Sequence, residues 1–212
     1  MAKKMGYPNY VTLGYYRMNR NSYTKEDVEK FRAAVQKYVV PLADQVYREQ
    51  AKRLEVPYPL TFANAALSFR SGNAKPQGTP EEILAHGQKM YHEMSPLTAE
   101  FIDFLYKGEL LDVLSKKGKA GGGYCTTFAA YKAPFIFANF NGTQGDVEVI
   151  THEAGHAFAA YMARDIEPAD NQNPTMESCE IHSMSMEFFA WPWAPGFFGP
   201  DTDKFYYGHL AG

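Results

Sequence analysis

The segment ITHEAGHAFAAYMA, residues 150–163, holds two histidines four apart with a glutamate directly after the first. Four residues of an α-helix advance by about 400°, so His152 and His156 share one face, one turn apart, within reach of a single ion. Neutral imidazole suits zinc. Glu153 lies about 100° round the helix from His152, where its carboxylate can meet a water at the ion without occupying a ligand position. Catalytic zinc normally takes three protein ligands and leaves a position for water. The third is expected from MESCEIHSMSMEFF, residues 176–189, where Glu180 lies in a second helix. Glu187, seven residues further, shares its face, and Glu177 and Ser183 flank it. The chemistry expected of this set is hydrolysis, with Glu153 as general base toward a zinc-activated water.

The competing reading is an ordinary helix whose histidines are hydrogen-bonded and whose glutamate is solvated. An acidic helix downstream, the small residues Ala154, Gly155 and Ala157, which allow close packing, and a strand upstream favour the metal site. His182, two residues after Glu180, points about 200° away from it and is assigned to packing. His86 and His92 fall on a surface-type helix, and Cys179 is expected to be a small buried residue.

These residues need elements to position them. Apolar residues at three- and four-residue steps (Val28, Phe31, Val35, Val39) predict a long helix over Thr24–Leu54, capped by Thr24 with Asp27 as its capping-box partner and kinked at Pro41. The Pro-, Gly- and Asn-rich stretch 56–80 predicts an irregular connection with one short extended piece at 67–69. Helices are predicted over 79–94 and 96–114, the first opened by TPEE. APFIFANF, 133–140, is short, apolar and aromatic, and predicts a strand. Thr143 or Asp146 then opens the helix that carries the two histidines. RDIEPADNQNPTM, 164–176, is a polar loop before the second helix, expected from about Met176 to Ala190. WPWAPGFFGPDTD, 191–203, is expected to be loop, and KFYYGHLAG to begin another helix.

An extended peptide can pair with a strand edge beside a metal helix through main-chain hydrogen bonds, and the strand at 133–140 is placed for that task. GKAGGGYCT, 118–126, is expected to form a flexible flap over it. The substrate contacts are therefore expected at Gly122, Gly123, Tyr124, Phe137, Ala138 and Asn139. The glycines do not match a phosphate-binding loop, because no Lys-Ser/Thr follows them.

The 212 residues suffice for one substantial domain whose core needs no disulfide or metal to hold it. A net charge of −3 gives no basic surface of the kind a phosphate backbone requires. Two cysteines fit a reducing compartment, the first residues lack an apolar signal segment, and no apolar run reaches membrane-spanning length. A cytoplasmic location, with no nucleic-acid or membrane partner, is the expectation. The 15 Tyr and 15 Phe could line a large groove.

HEAGHAF followed by ESCEIHSMSMEFF resembles the thimet oligopeptidase and oligoendopeptidase F family of zinc peptidases. KAGGGYCT, YKAPFIFANFNGT and HSMSMEFFAWPW are most similar to its Pz-peptidase branch, and the similarity runs from GYYRMNR to YYGHLAG. The resemblance implies a mostly α (α+β) fold, a zincin-like core with an HExxH helix, a second glutamate-bearing helix and a small sheet. It implies one zinc per chain on His152, His156 and Glu180, with Glu153 as general base and acid, and short unstructured peptides as substrates. Residues 1–212 would be a single catalytic core lacking the family's N-terminal helical portion and its C-terminal helices. Those helices supply a histidine and tyrosines to the substrate carbonyl, and no residue of this sequence matches them. A zinc- or peptide-binding module of weak or silent chemistry is the alternative. If the cleft is incomplete, the strand 133–140 with Phe135, Phe137, Trp191 and Trp193 would leave apolar surface exposed and favour a homodimer.

Overall fold

The computed structural model describes residues 1–211, which divide into two compact units, the first Met1–Gly72 and the second beginning at Asn73. The first unit is helical. It holds α1 (Tyr10–Arg17), α2 (Lys25–Ala34), α3 (Val40–Leu54) and a four-residue turn of helix, α4 (Phe62–Ala65). Thr24 and Asp27 form the expected capping box at the start of α2: the Asp27 amide donates to Thr24 Oγ1 and the Thr24 amide to Asp27 Oδ2. The kink expected at Pro41 takes a particular form. Residues Val35–Val39 are wound as a π-helix between α2 and α3, so the path continues without a break. Proline lacks an amide donor and its ring crowds the carbonyl four residues earlier; widening the preceding turn accommodates both. The extended piece expected at 67–69 is absent, and α4 is the only regular element among the described residues of the connection.

The second unit carries the histidine motif. Its elements are α5 (Pro80–Met94), α6 (Pro96–Lys107), β1 (Leu111–Asp112), β2 (Tyr124–Phe128), β3 (Ala133–Phe137), α7 (Gln144–Ala163), α8 (Cys179–Phe189), α9 (Ala194–Phe198) and α10 (Thr202–Ala211). Thr79 and Ser95 cap α5 and α6, each followed by proline at the first helical position. The helix expected to reach residue 114 stops at Lys107, because Gly108 caps it and Leu111–Asp112 joins the sheet. Residues 191–203, expected to be loop, form a chain of short helical turns that includes α9.

The sheet has the order β1-β3-β2, with β3 parallel to β1 and antiparallel to β2. Being central, β3 buries Ala133, Pro134 and Ile136, and Ile136 aligns with Leu111 on one side and Cys125 on the other. Beyond the strand, the Ala138 amide donates to the Asp112 carbonyl and the Phe140 amide to that of Val113. The sheet packs on α7, and Tyr91, Phe101, Leu105, Ile136, Ile150, Ala157, Phe197 and Phe198 lie in one continuous core. Trp191 and Trp193, expected to be exposed, are half-buried against that core, and Phe135 and Phe137 are half-buried as well. Among the described residues no helix is long and apolar enough to cross a membrane.

Candidate metal centre

Helix α7 is buried along Val147, Ile150, Ala154, Ala157 and Tyr161, which leaves His152, Glu153 and His156 half-buried on its other faces. Helix α8 crosses it at Gly155. A methyl group built there would lie 2.6 Å from Ser183 Cα and 2.7 Å from the His182 carbonyl oxygen, so only glycine permits this approach. That crossing delivers Glu180 to the two imidazoles.

His152 Nε2 lies 3.3 Å from Glu180 Oε2 and His156 Nε2 lies 3.6 Å from the same oxygen. Ligand atoms of the three residues all fall within 4.8 Å of one another. Zinc bonds of about 2.1 Å in a tetrahedron would set neighbouring donors roughly 3.4 Å apart, which the two separations from Glu180 Oε2 match, and two imidazole nitrogens with a carboxylate oxygen are a donor set that suits the ion. Ser183 Oγ, fully buried, donates to Glu180 Oε2 at 2.8 Å. That hydrogen bond, the largest cause, holds the Glu180 carboxyl below the usual carboxylate range despite partial burial. Glu187 Oε1 meets His152 Nδ1 at 2.5 Å, which secures the ring from behind. Ser183 and Glu187 thus each touch a member of the trio.

Glu153, half-buried on α7, is electrostatically coupled to the sheet. Cys125 of β2 is close enough that the Glu153 charge adds to burial, the larger cause, in pushing the thiol up to about 12.

The substrate contacts expected from the sequence divide. Gly122 and Gly123 lead into β2, with Gly122 at φ 97°, a left-handed conformation that suits glycine. Tyr124 is half-exposed and stacks on Phe137, ring centroids 5.0 Å apart. Ala138 is buried, and Asn139 Nδ2 donates to the carbonyls of Ala120 at 2.8 Å and Gly122 at 3.0 Å. Asn139 is thus engaged in holding the glycine loop. The edge expected of 133–140 is not there, because β3 has a partner on both sides; the outer strand beside the histidines is β2.

Cys179, expected to be buried, is half-exposed at the first turn of α8, which begins there and not at Met176. His182 is exposed, His86 packs on Phe197, and His92 Nε2 meets Asp103 Oδ1 at 2.9 Å, so none of them joins the cluster. Sequence reasoning missed Cys125 beside Glu153, and also His209, whose Nε2 bonds Glu187 Oε2. No spacing rule links positions so far apart in the chain.

The sequence profile of Peptidase family M3 matches residues 75–195. A crystal structure assigned as an oligoendopeptidase F from Bacillus anthracis is 50% identical over 99% of this chain, with a TM-score of 0.95, and this chain covers 38% of that one. PZ peptidase A, solved with an inhibitor, is 49% identical over 99% of this chain and 37% of its own, with a TM-score of 0.94. A structure assigned as a peptidase from Chlamydophila abortus, at 22% identity and a TM-score of 0.60 over 91% of this chain and 31% of its own, shares the fold. None of the curated proteins matches. The chain spans well under half the length of the two more similar relatives. Its sequence profile, its mostly helical fold with a small sheet, and its His-His-Glu cluster agree: the chain belongs to peptidase family M3.

Proposed function

We propose that the chain is the catalytic core of a zinc-dependent endopeptidase acting on short unstructured peptides. The observation that carries this reading is the convergence of His152 Nε2, His156 Nε2 and Glu180 Oε2. When bound there, zinc would supply Lewis acidity that brings the pKa of water toward neutrality. Glu153, adjacent to the histidine pair, takes a proton from the attacking water onto its carboxylate and returns it to the departing amine. The free edge of β2, entered through Gly122 and Gly123, suits main-chain pairing with an extended peptide, which makes recognition tolerant of side-chain sequence. Tyr124 and Phe137 brace that edge.

Elemental analysis tests the site. One zinc per chain is expected after refolding with the metal, and a Glu180→Ala variant should lose it. Retention in that variant, or no uptake by the parent, would reject the assignment. A quenched-fluorescent peptide assay with and without chelator then separates two readings. Chelator-sensitive cleavage supports the peptidase. Zinc binding without turnover would favour a binding module, consistent with a chain that covers 38% of its relative.

A further inference from the structure

The His152 contact with Glu187 is the first link of a longer chain. The second oxygen of Glu187 meets Nε2 of His209 on α10, and the other ring nitrogen of His209, Nδ1, accepts from the Trp191 indole Nε1 at 3.1 Å. His209 is enclosed. Its side chain is 8% exposed, its ring stacks near Phe205 at 5.5 Å, and Phe188 and Trp191 present edges at 5.0 and 5.6 Å. Trp191 is itself fixed, since Tyr206 Oη donates to its carbonyl at 3.0 Å.

The chemistry of these groups assigns every proton along the chain. Indole Nε1–H is a donor and cannot accept, so His209 Nδ1 must be the bare acceptor nitrogen. The proton of neutral His209 is then on Nε2, where it is donated to Glu187 Oε2. As a carboxylate, Glu187 only accepts, so the contact on its other oxygen requires a proton on His152 Nδ1. With Nδ1 protonated, the lone pair of neutral His152 is on Nε2, the nitrogen that faces Glu180.

We propose that His209 is a positioning residue: held by Trp191, it anchors the Glu187 carboxylate and so fixes His152 as the Nδ1–H tautomer with Nε2 free to bind metal. The assignment toward zinc rests on the metal-site reading above, while the tautomers themselves belong to the metal-free chain. Substitution at His209 should therefore act on His152 while leaving the three ligand residues themselves unchanged in the sequence.

Long-range proton–nitrogen NMR on metal-free protein with isotope-labelled histidine tests this at about pH 9, above the ordinary imidazole pKa of about 6.5. His209 is expected as the Nε2–H tautomer and His152 as the Nδ1–H tautomer. His152 as Nε2–H, or His209 as Nδ1–H, would overturn the proposal. In His209→Phe, which keeps an aromatic ring in the enclosure, the His152 signals should move toward a mixture of tautomers, and zinc affinity measured by chelator competition should fall about tenfold. His209→Gln, whose amide nitrogen can replace the Nε2 donor, should restore both. Unchanged His152 signals in His209→Phe would overturn the positioning role. Should that variant not fold, Trp191→Phe is the second test: loss of the donor to Nδ1 should leave His209 in mixed tautomers, and an unchanged ring would reject the chain of assignments. The expected tautomers in a chain that takes up no zinc would support the positioning role and reject the metal-site reading.

Discussion

At the scale of single residues, the proposed centre depends on which atoms face which. In the proposed function Glu153 exchanges a proton and contributes no ligand, so Glu153→Gln should keep the metal yet lower peptide hydrolysis by about a hundred- to ten-thousandfold. Parental turnover with that amide would mean that another group activates the water. Cys125 offers a check on the same neighbourhood. Burial and the Glu153 charge raise its pKa to about 12, so the folded thiol stays protonated where an ordinary thiol, near pKa ~8.5, is half ionised. Alkylation of Cys125 at mildly alkaline pH should be at least about a hundredfold slower folded than in urea, as peptide mapping would measure. The sign for stability follows. The unfolded thiol ionises first, so above its pKa the unfolded chain binds fewer protons and the folded form loses stability as pH rises. Equal alkylation rates in the two states would contradict the burial.

At the scale of elements, the crossing of α7 over α8 decides whether the proposed third ligand, Glu180, reaches the histidines. Gly155→Ala places a methyl within 2.6–2.7 Å of backbone atoms in α8, which cannot step aside as a flexible side chain would. The helices must separate. A loss of about 1–3 kcal/mol in denaturant unfolding is expected, together with weaker zinc retention, because Glu180 moves with α8 while the histidines stay on α7. Parental stability and zinc content in that variant would show that the crossing has slack. These two helices were legible in the sequence: the HEAGH spacing, the Glu180–Ser183–Glu187 face and the small residues between them each have a local signature. The capping box at Thr24 and the TPEE start of α5 were legible for the same reason. The sheet was less so. Two-residue β1 and exposed β2 carry no periodic pattern, so the central place of β3 could not be seen from the chain.

At the scale of the molecule, the exposed apolar surface includes one of the tryptophans expected there, Trp193, but not the strand 133–140. In the second unit it gathers around a groove of about 960 Å³ lined by Leu97, Ile166, Ile181, His182 and Phe189. Leu97, Ile181 and Phe189 are more than half exposed. Apolar patches beyond a few hundred Å² recruit partners, so we expect self-association through this groove, with light scattering showing a mass that rises with concentration and Ile181→Glu returning it to that of one chain. A one-chain mass at every concentration would reject the dimer.

The sequence by itself determined the chemistry on offer. Helical periodicity is local, so two imidazoles, the base beside them and the next carboxylate face were readable from spacing alone. The tertiary structure decided what those residues meet. Only the α7–α8 crossing brings Glu180 Oε2 to within 3.3 and 3.6 Å of the imidazoles, only the sheet order makes β2 the edge, and only the packing of α10 brings His209 to Glu187. The reason is physical. These contacts join residues far apart in the chain, and they form because side chains of particular shape fill a common core, a condition that no stretch of sequence expresses on its own.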